Sequence, residues 1–202
     1  MTTSRKLTNV LQLITGNLTE RKIPHALMGA LALGIYGLPR FTADIDLLTE
    51  GRYWNLISPV MENLGYTCFQ KTKSFAQFDS EMGVLGKVDF MFINTTEGKN
   101  ILERSVFFED DFLGGHRVIQ PTDYIVLKLM AIANNPDRSL KDEADIVDLL
   151  RLSKSKLIPA NFDSPDRDRI YYFAEKFEQR QRIEAIFMKI DKNQTQTEGF
   201  IL

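Results

Sequence analysis

The chain is predicted to adopt an α/β (α+β) fold: a small mixed β-sheet with flanking helices, followed by a helical C-terminal portion. Three observations predict it. Short apolar or alternating segments ("HALM", "FTADIDLLT", "YTCF", "SFAQFD", "GKVDFMFIN") are interleaved with segments of helical spacing over roughly residues 1–120. From Pro121 onward the pattern turns helical. A content of 44% apolar and 26% charged residues in 202 is enough to bury a core.

Leu7, Val10, Leu11, Ile14 and Leu18 recur at helical spacing and predict an opening amphipathic helix that ends near "ERKIP". "HALM" reads as a short buried strand, and "GALALGIYGL" as a compact helix that starts directly at Gly29. In "FTADIDLLT", Ala43, Ile45 and Leu47 share one strand face, and Asp44, Asp46 and Leu48 the other. Trp54, Ile57, Met61 and Leu64 predict a helix over 53–64, stopped at Gly65. Three further strands follow, with Gly83 and Gly86 shaping the turn before the last. Residues 101–108 are ambiguous between helix and strand, and "RVI" predicts one more edge strand.

Pro121 suits the first position of a helix, "SLKDEADIVDLLRLS" predicts a second, and Ser164-Pro165 opens a third. Ile170, Phe173, Phe177, Ile183 and Ile190 form the apolar stripe of that third helix. The expected organisation is an α/β core over 1–120, a helical portion over 121–190 packed on it, and a flexible tail over 191–202.

A net charge of −2 gives no global attraction to nucleic acid or anionic membranes, so an anion-binding surface has to be local. The single cysteine, Cys68, permits no internal disulfide and reads as a buried structural thiol in a reducing cytoplasm. The N-terminal segment is broken by polar residues and has no signal-peptide core. Ala26–Pro39, the longest uncharged apolar stretch, is too short to span a bilayer and holds three glycines. A cytoplasmic protein without a membrane partner is expected.

The chemistry concentrates in three aspartates within apolar runs: Asp44, Asp46 and Asp89. Carboxylates at core-like positions are costly unless something pairs with them. Asp44 and Asp46, two apart on a strand, project from one face and repel each other unless a cation lies between them. A hard ion such as Mg²⁺ takes oxygen ligands and completes its shell with substrate phosphates. With Asp89 on a neighbouring strand, the set could bind two ions about 3.5–4 Å apart, as in in-line phosphoryl displacement. Gly29-Ala30, at a strand-to-helix junction, offers backbone amides to phosphate. Arg40 and Thr42 flank the carboxylates and suit phosphate or ribose, while Arg40 could equally pair with Asp44. His25 and His116 lack metal-ligand spacing and read as structural.

Gly29-Ala30, thirteen intervening residues and Asp44-Ile45-Asp46 resemble the nucleotidyltransferase fold of the polymerase-β superfamily. "PTDYIVLKLMAIANNPDRSLKDEADIVDLL" is similar to the helical segment of the abortive-infection (AbiEii/AbiGii-type) toxin nucleotidyltransferases. The likeness runs from about His25 to Leu150. It implies a Mg²⁺- or Mn²⁺-dependent enzyme that moves a nucleoside monophosphate from an NTP, such as ATP, to a hydroxyl of an RNA end or a protein. The biological setting it implies is a toxin with an antitoxin partner, or phage defence. By the resemblance, Asp44, Asp46 and Asp89 are catalytic metal ligands, Gly29 and Ala30 the phosphate-binding pair, and Lys128 a helix lysine reaching a nucleotide phosphate. Asp142 and Asp145 match acidic positions of uncertain role. Asp142 could equally cap a helix start, and Asp145 could orient Lys128 or Lys141 or simply be solvated. Ala30 departs from the common serine: the amide remains and the hydroxyl does not. Three other readings are a glycosyltransferase with a D-x-D pair, a family that lacks the order of glycine turn and third aspartate, a catalytically silent nucleotidyltransferase-like module that binds a nucleotide or a partner protein, and a small-molecule nucleotidyltransferase.

Overall fold

The computed structural model describes residues 3–80 and 85–192. The expected turn residue Gly83 and the tail from residue 193 lie outside the described residues. In chain order the elements are α1 (Thr3–Glu20), β1 (His25–Leu27), α2 (Gly29–Tyr36), β2 (Asp44–Glu50), α3 (Trp54–Asn63), β3 (Tyr66–Lys71), β4 (Phe75–Ser80) and β5 (Lys87–Ile93). Next come α4 (Thr96–Glu103), β6 (Val106–Asp110), β7 (Gly114–Val118), α5 (Pro121–Asn134), α6 (Ser139–Lys154), α7 (Arg167–Lys176) and α8 (Arg180–Lys192). The architecture is the mixed α/β one that the pattern predicts.

The chain forms two compact units. The first takes the residues up to Ile35 and then Pro39–Gln120; the second takes Tyr36–Leu38 and the chain from Pro121. In the first unit the strands make one sheet in the order β3-β4-β5-β2-β1-β7-β6. The β2–β5 and β1–β7 pairs are parallel, and β1–β2, β3–β4, β4–β5 and β6–β7 are antiparallel. Alternation sorts the sheet's faces. Ile45, Ala76, Phe78, Val88 and Phe90 are buried on one face, where Trp54 of α3 stacks on Phe78 and meets Phe92 edge-on. Val10, Leu11, Ile14 and Leu18 bury the stripe of α1.

Several elements depart from the sequence pattern. β2 begins at Asp44, and Phe41 is 85% exposed before it. The ambiguous stretch divides into α4, whose N-cap Thr95 accepts from the Gly98 amide at 3.1 Å, and β6. Strand β6 is the sheet edge, so β7, which contains Arg117-Val118 of "RVI", lies inside it. Cys68 is partly exposed beside a β-bulge, not buried. The single helix expected after Ser164-Pro165 is two helices. At Glu178 the backbone is left-handed (φ 58°), and the Gln179 amide donates to Ala174 O at 2.7 Å, closing α7 before α8 begins.

The second unit packs α5 through α8. Buried Asp123 on α5 pairs with Arg169 on α7 at 3.2 Å, and Thr122 Oγ1 accepts from the Asp166 amide at 2.9 Å. Tyr36 packs edge-on against Tyr124 and Phe162.

His25 and His116 have the structural contacts expected of them. His116 Nε2 donates to Leu113 O at 2.8 Å, and His25 Nδ1 to Ile23 O at 2.9 Å. Burial pushes both imidazoles below the ordinary histidine pKa, with mutual repulsion as a smaller cause at His25. The folded chain thus favours the neutral form, and the unfolded chain binds more protons once the pH drops below about 6.5. Stability should fall as pH is lowered through that value, by at most about 1.4 kcal/mol per pH unit for each histidine. Urea unfolding across a pH series checks this. The His25→Asn/His116→Asn variant should show a flatter slope, and an unchanged slope would acquit both side chains.

Candidate active site

The site grows from the crossing of β1 and β2. Leu27 pairs with Leu47, and the Met28 amide donates to Asp46 O at 3.0 Å, so the chain leaves β1 directly over Asp46. Turning there into α2 requires a left-handed residue, and Gly29 has φ +62°. A Cβ at Gly29 would collide with the Asp46 carboxylate, so glycine is required by the turn and by the close approach together. The Ala32 amide reaches back to Met28 O at 3.4 Å, which opens α2. The amides of its first turn take partners from outside the helix, which makes the turn a natural anion cradle.

Strands β2 and β5 run parallel with Asp46 opposite Asp89 and Asp44 opposite Lys87. With neighbouring strands about 4.8 Å apart, Asp46 and Asp89 stand side by side, partly exposed, and exposed Asp44 lies two residues back on the same face. Thr42 positions that entrance: its hydroxyl accepts from the Asp44 amide and donates to Asp44 O, both at 3.2 Å. Ala30, Arg40 and Thr42 line a cavity of about 430 Å³ with Gly34, Gly86 and Phe112.

Asp44, Asp46 and Asp89 offer carboxylate oxygens on this face, the chemistry a hard divalent cation takes. Among the described residues, no group of three or more His, Cys, Asp or Glu side chains is gathered so as to hold a metal ion. The register juxtaposes two carboxylates, not three. A site that borrows further oxygens from a phosphate substrate suits this arrangement, because Mg²⁺ commonly takes one or two carboxylates plus phosphates.

One residue of this neighbourhood escaped sequence reading. Gln77 on β4 lies opposite Asp89, and its Nε2 donates to Asp89 Oδ2 at 3.1 Å, holding that carboxylate in orientation. Only the β4–β5 register reveals it.

Lys128, Asp142 and Asp145 come together in the second unit. Lys128 Nζ lies 2.6 Å from Asp142 Oδ1 and 2.8 Å from Asp145 Oδ2, and Lys128 is only 12% exposed. The Tyr124 hydroxyl donates to Asp145 Oδ2 at 3.3 Å. Asp142, fully buried in the first turn of α6, turns onto Lys128. Of the settings considered for Asp145, the structure shows pairing with Lys128. The lysine's charge is met twice within its own unit.

Two substitutions test these arrangements. Gly29→Ala forces a side chain into the left-handed region and into Asp46, so a loss of about 2 kcal/mol or more in urea unfolding is expected. Lys128→Ala leaves two buried carboxylates facing each other, with an expected cost of about 3–5 kcal/mol. Adding Asp142→Asn should restore part of that loss, and equal stability of the single and double variants would refute the ion cluster.

No protein-family model and no curated protein matches the chain. Solved structures do. The solution structure of the antibiotic-resistance factor ANT(2'')-Ia is similar over 93% of this chain and 96% of that one, with 13% identity and a TM-score of 0.58. The crystal structure of ANT(2'')-Ia in complex with adenylyl-2''-tobramycin covers 86% and 98%, with 15% identity and a TM-score of 0.58. An antigenic nucleotidyltransferase-like protein from Paracoccidioides brasiliensis covers 90% and 91%, with 14% identity and a TM-score of 0.53. Among the described residues, no helix is long and apolar enough to cross a membrane. With its mixed sheet, its glycine-led α2 and near end-to-end likeness to these structures, the chain has the nucleotidyltransferase fold.

Proposed function

We propose that this protein is a metal-dependent nucleotidyltransferase that moves a nucleoside monophosphate from an NTP to a hydroxyl acceptor. One observation carries the proposal. Asp46 and Asp89 are in register on parallel strands, with Asp44 on the same face and the Gly29 turn pressed against Asp46. The fold shared with ANT(2'')-Ia, whose complex holds an adenylylated tobramycin, supports the same reaction class.

In this reading Asp44, Asp46 and Asp89 hold Mg²⁺ or Mn²⁺ together with phosphate oxygens. The ion neutralises triphosphate charge and lowers the pKa of the acceptor hydroxyl when bound. The chain's own residues do the rest. Gln77 keeps the Asp89 carboxylate turned toward the site. The first-turn amides of Gly29 and Ala30 bind a phosphate through the helix dipole. Arg40 and Thr42, at the cavity rim, contact phosphate or ribose. A toxin role with an antitoxin partner in the cytoplasm rests on the sequence likeness of residues 121–150 alone.

Purified protein incubated with each α-labelled NTP, Mg²⁺ or Mn²⁺, and total tRNA or cell extract should label an acceptor. Asp44→Ala, Asp46→Ala and Asp89→Ala should each lower the rate about a hundredfold or more. Nucleotide binding without transfer for all four NTPs would overturn the enzyme in favour of a silent binding module.

A further inference from the structure

Two rows of side chains cross the carboxylate face of the first unit's sheet. Asp46, Asp89 and Gln77 form one row on β2, β5 and β4. Asp44, Lys87 and Asp79 form the next, two residues along each strand. Four carboxylates therefore share these rows with one ammonium. Neighbouring strands are about 4.8 Å apart, so Lys87 is rooted between Asp44 and Asp79. Opposite charges placed in this way commonly pair across strands. Lys87 pairs with neither. It is exposed, and among the described residues its ammonium makes no ion pair. It lies instead 5.5 Å from the ring centroid of Phe69, a β3 residue that is itself 52% exposed. A cation–π contact at an exposed site is weak and easily released.

We infer that Lys87 is a triphosphate ligand of the proposed site, and that it makes the carboxylates receptive to a metal–nucleotide complex in preference to the free metal ion. This assignment rests on the nucleotidyl-transfer reading and concerns how that site takes up its substrate. A triphosphate brings more negative charge to a face that is already negative. Divalent ions offset part of it, and a side-chain cation within reach offsets more. Lys128 has its charge met by Asp142 and Asp145 within the second unit, whereas the Lys87 ammonium is uncommitted. Its flexible four-carbon stem lets that ammonium swing from the Phe69 ring to a phosphate oxygen. The same charge acts against a bare cation. A divalent ion held by Asp44, Asp46 and Asp89 lies next to the strand position that carries Lys87, and like charges repel. Among the described residues no three His, Cys, Asp or Glu side chains are gathered around a metal position, and Mg²⁺ commonly takes one or two carboxylates plus phosphates. An ion that arrives with phosphate oxygens brings the partner that draws Lys87 off the ring. Repulsion of the metal then becomes attraction for the complex.

The test uses the full chain and measures two affinities separately. Mn²⁺ alone is titrated by the electron paramagnetic resonance of the free ion. Nucleotide is titrated by calorimetry as the α,β-methylene NTP with Mn²⁺, for each of the four bases, so that no turnover intervenes. Lys87→Met keeps the apolar stem and loses the charge. It should weaken binding of the Mn²⁺–nucleotide complex about 10- to 150-fold, the span of a hydrogen bond to a charged group. It should bind Mn²⁺ alone about twofold more tightly, the size of one screened repulsion. Lys87→Arg keeps the charge and should rescue nucleotide binding. Circular dichroism and thermal unfolding check that each variant is folded.

If Lys87→Met binds the complex like the parent, the assignment falls, and the transferase stands when the parent labels an acceptor. A parallel loss of Mn²⁺ and nucleotide binding also overturns it, because Lys87 would then only hold the carboxylates in place. If Lys87→Met loses nucleotide while the parent transfers nothing to any acceptor, the Lys87 assignment stands and the transferase falls. A parent that binds no nucleotide of any base overturns both.

Discussion

Strand β2 is the constraint on which the rest of the first unit depends. It is paired on both sides, antiparallel to β1 and parallel to β5, and its alternate residues Ile45 and Leu47 are completely buried. A slip of one residue would turn Asp44 and Asp46 into that core and expose the apolar set. Burying two unpaired carboxylates costs several kcal/mol each, so the register is held more firmly than hydrogen bonding alone would hold it. The Gly29 turn adds a second lock, since its left-handed backbone packs against the Asp46 side chain and nothing larger than hydrogen fits between them. Position along β2, approach of α2 and placement beside Asp89 are thus one geometric fact seen from three sides.

The second unit solves a different electrostatic problem. Its ion pairs fall into two energetic classes. Arg167–Asp191 and Arg180–Glu184 are surface pairs, worth little in a high dielectric. The Lys128–Asp142–Asp145 cluster and the Asp123–Arg169 pair join α5 to α6 and to α7 around buried carboxylates. Such clusters contribute little net stability over an apolar replacement, but removing one partner is severe. They specify which helix faces meet. One ammonium between two carboxylates also leaves a net negative charge, which the nearby Arg138 Nε, 3.4 Å from Asp142 Oδ2, offsets in part.

Much of the element order was legible because it is written in local pattern. Gly29 before a short apolar helix, the alternation around Asp44 and Asp46, and Asp89 inside "VDFMFI" each occupy a few contiguous residues. What escaped depends on residues far apart in sequence. Gln77 matters because β4 lies beside β5. The spacing of the three carboxylates was illegible for the same reason: a period-two pattern gives the shared face of Asp44 and Asp46 but not the distance across to Asp89. The α7–α8 break was hidden because the apolar stripe continues through it while one backbone angle at Glu178 reverses the chain. Strand β6 was obscure because, at a sheet edge, its alternation runs only between partly and fully exposed residues.

The departure at Ala30 can be weighed by magnitude. Phosphate held at a helix start is bound chiefly by backbone amides and the dipole, and neither depends on the side chain. A serine hydroxyl would add one neutral hydrogen bond, about 0.5–1.5 kcal/mol net, which is roughly tenfold in affinity at most. The carboxylates and the cation they hold act on formal charges at contact distance, where each partner is worth several times more. Ala30 is 8% exposed and lines the cavity with its methyl group, so it keeps the wall apolar without blocking the amides. On these numbers the alanine tunes nucleotide affinity, and the choice between enzyme and silent relative falls to Asp44, Asp46 and Asp89.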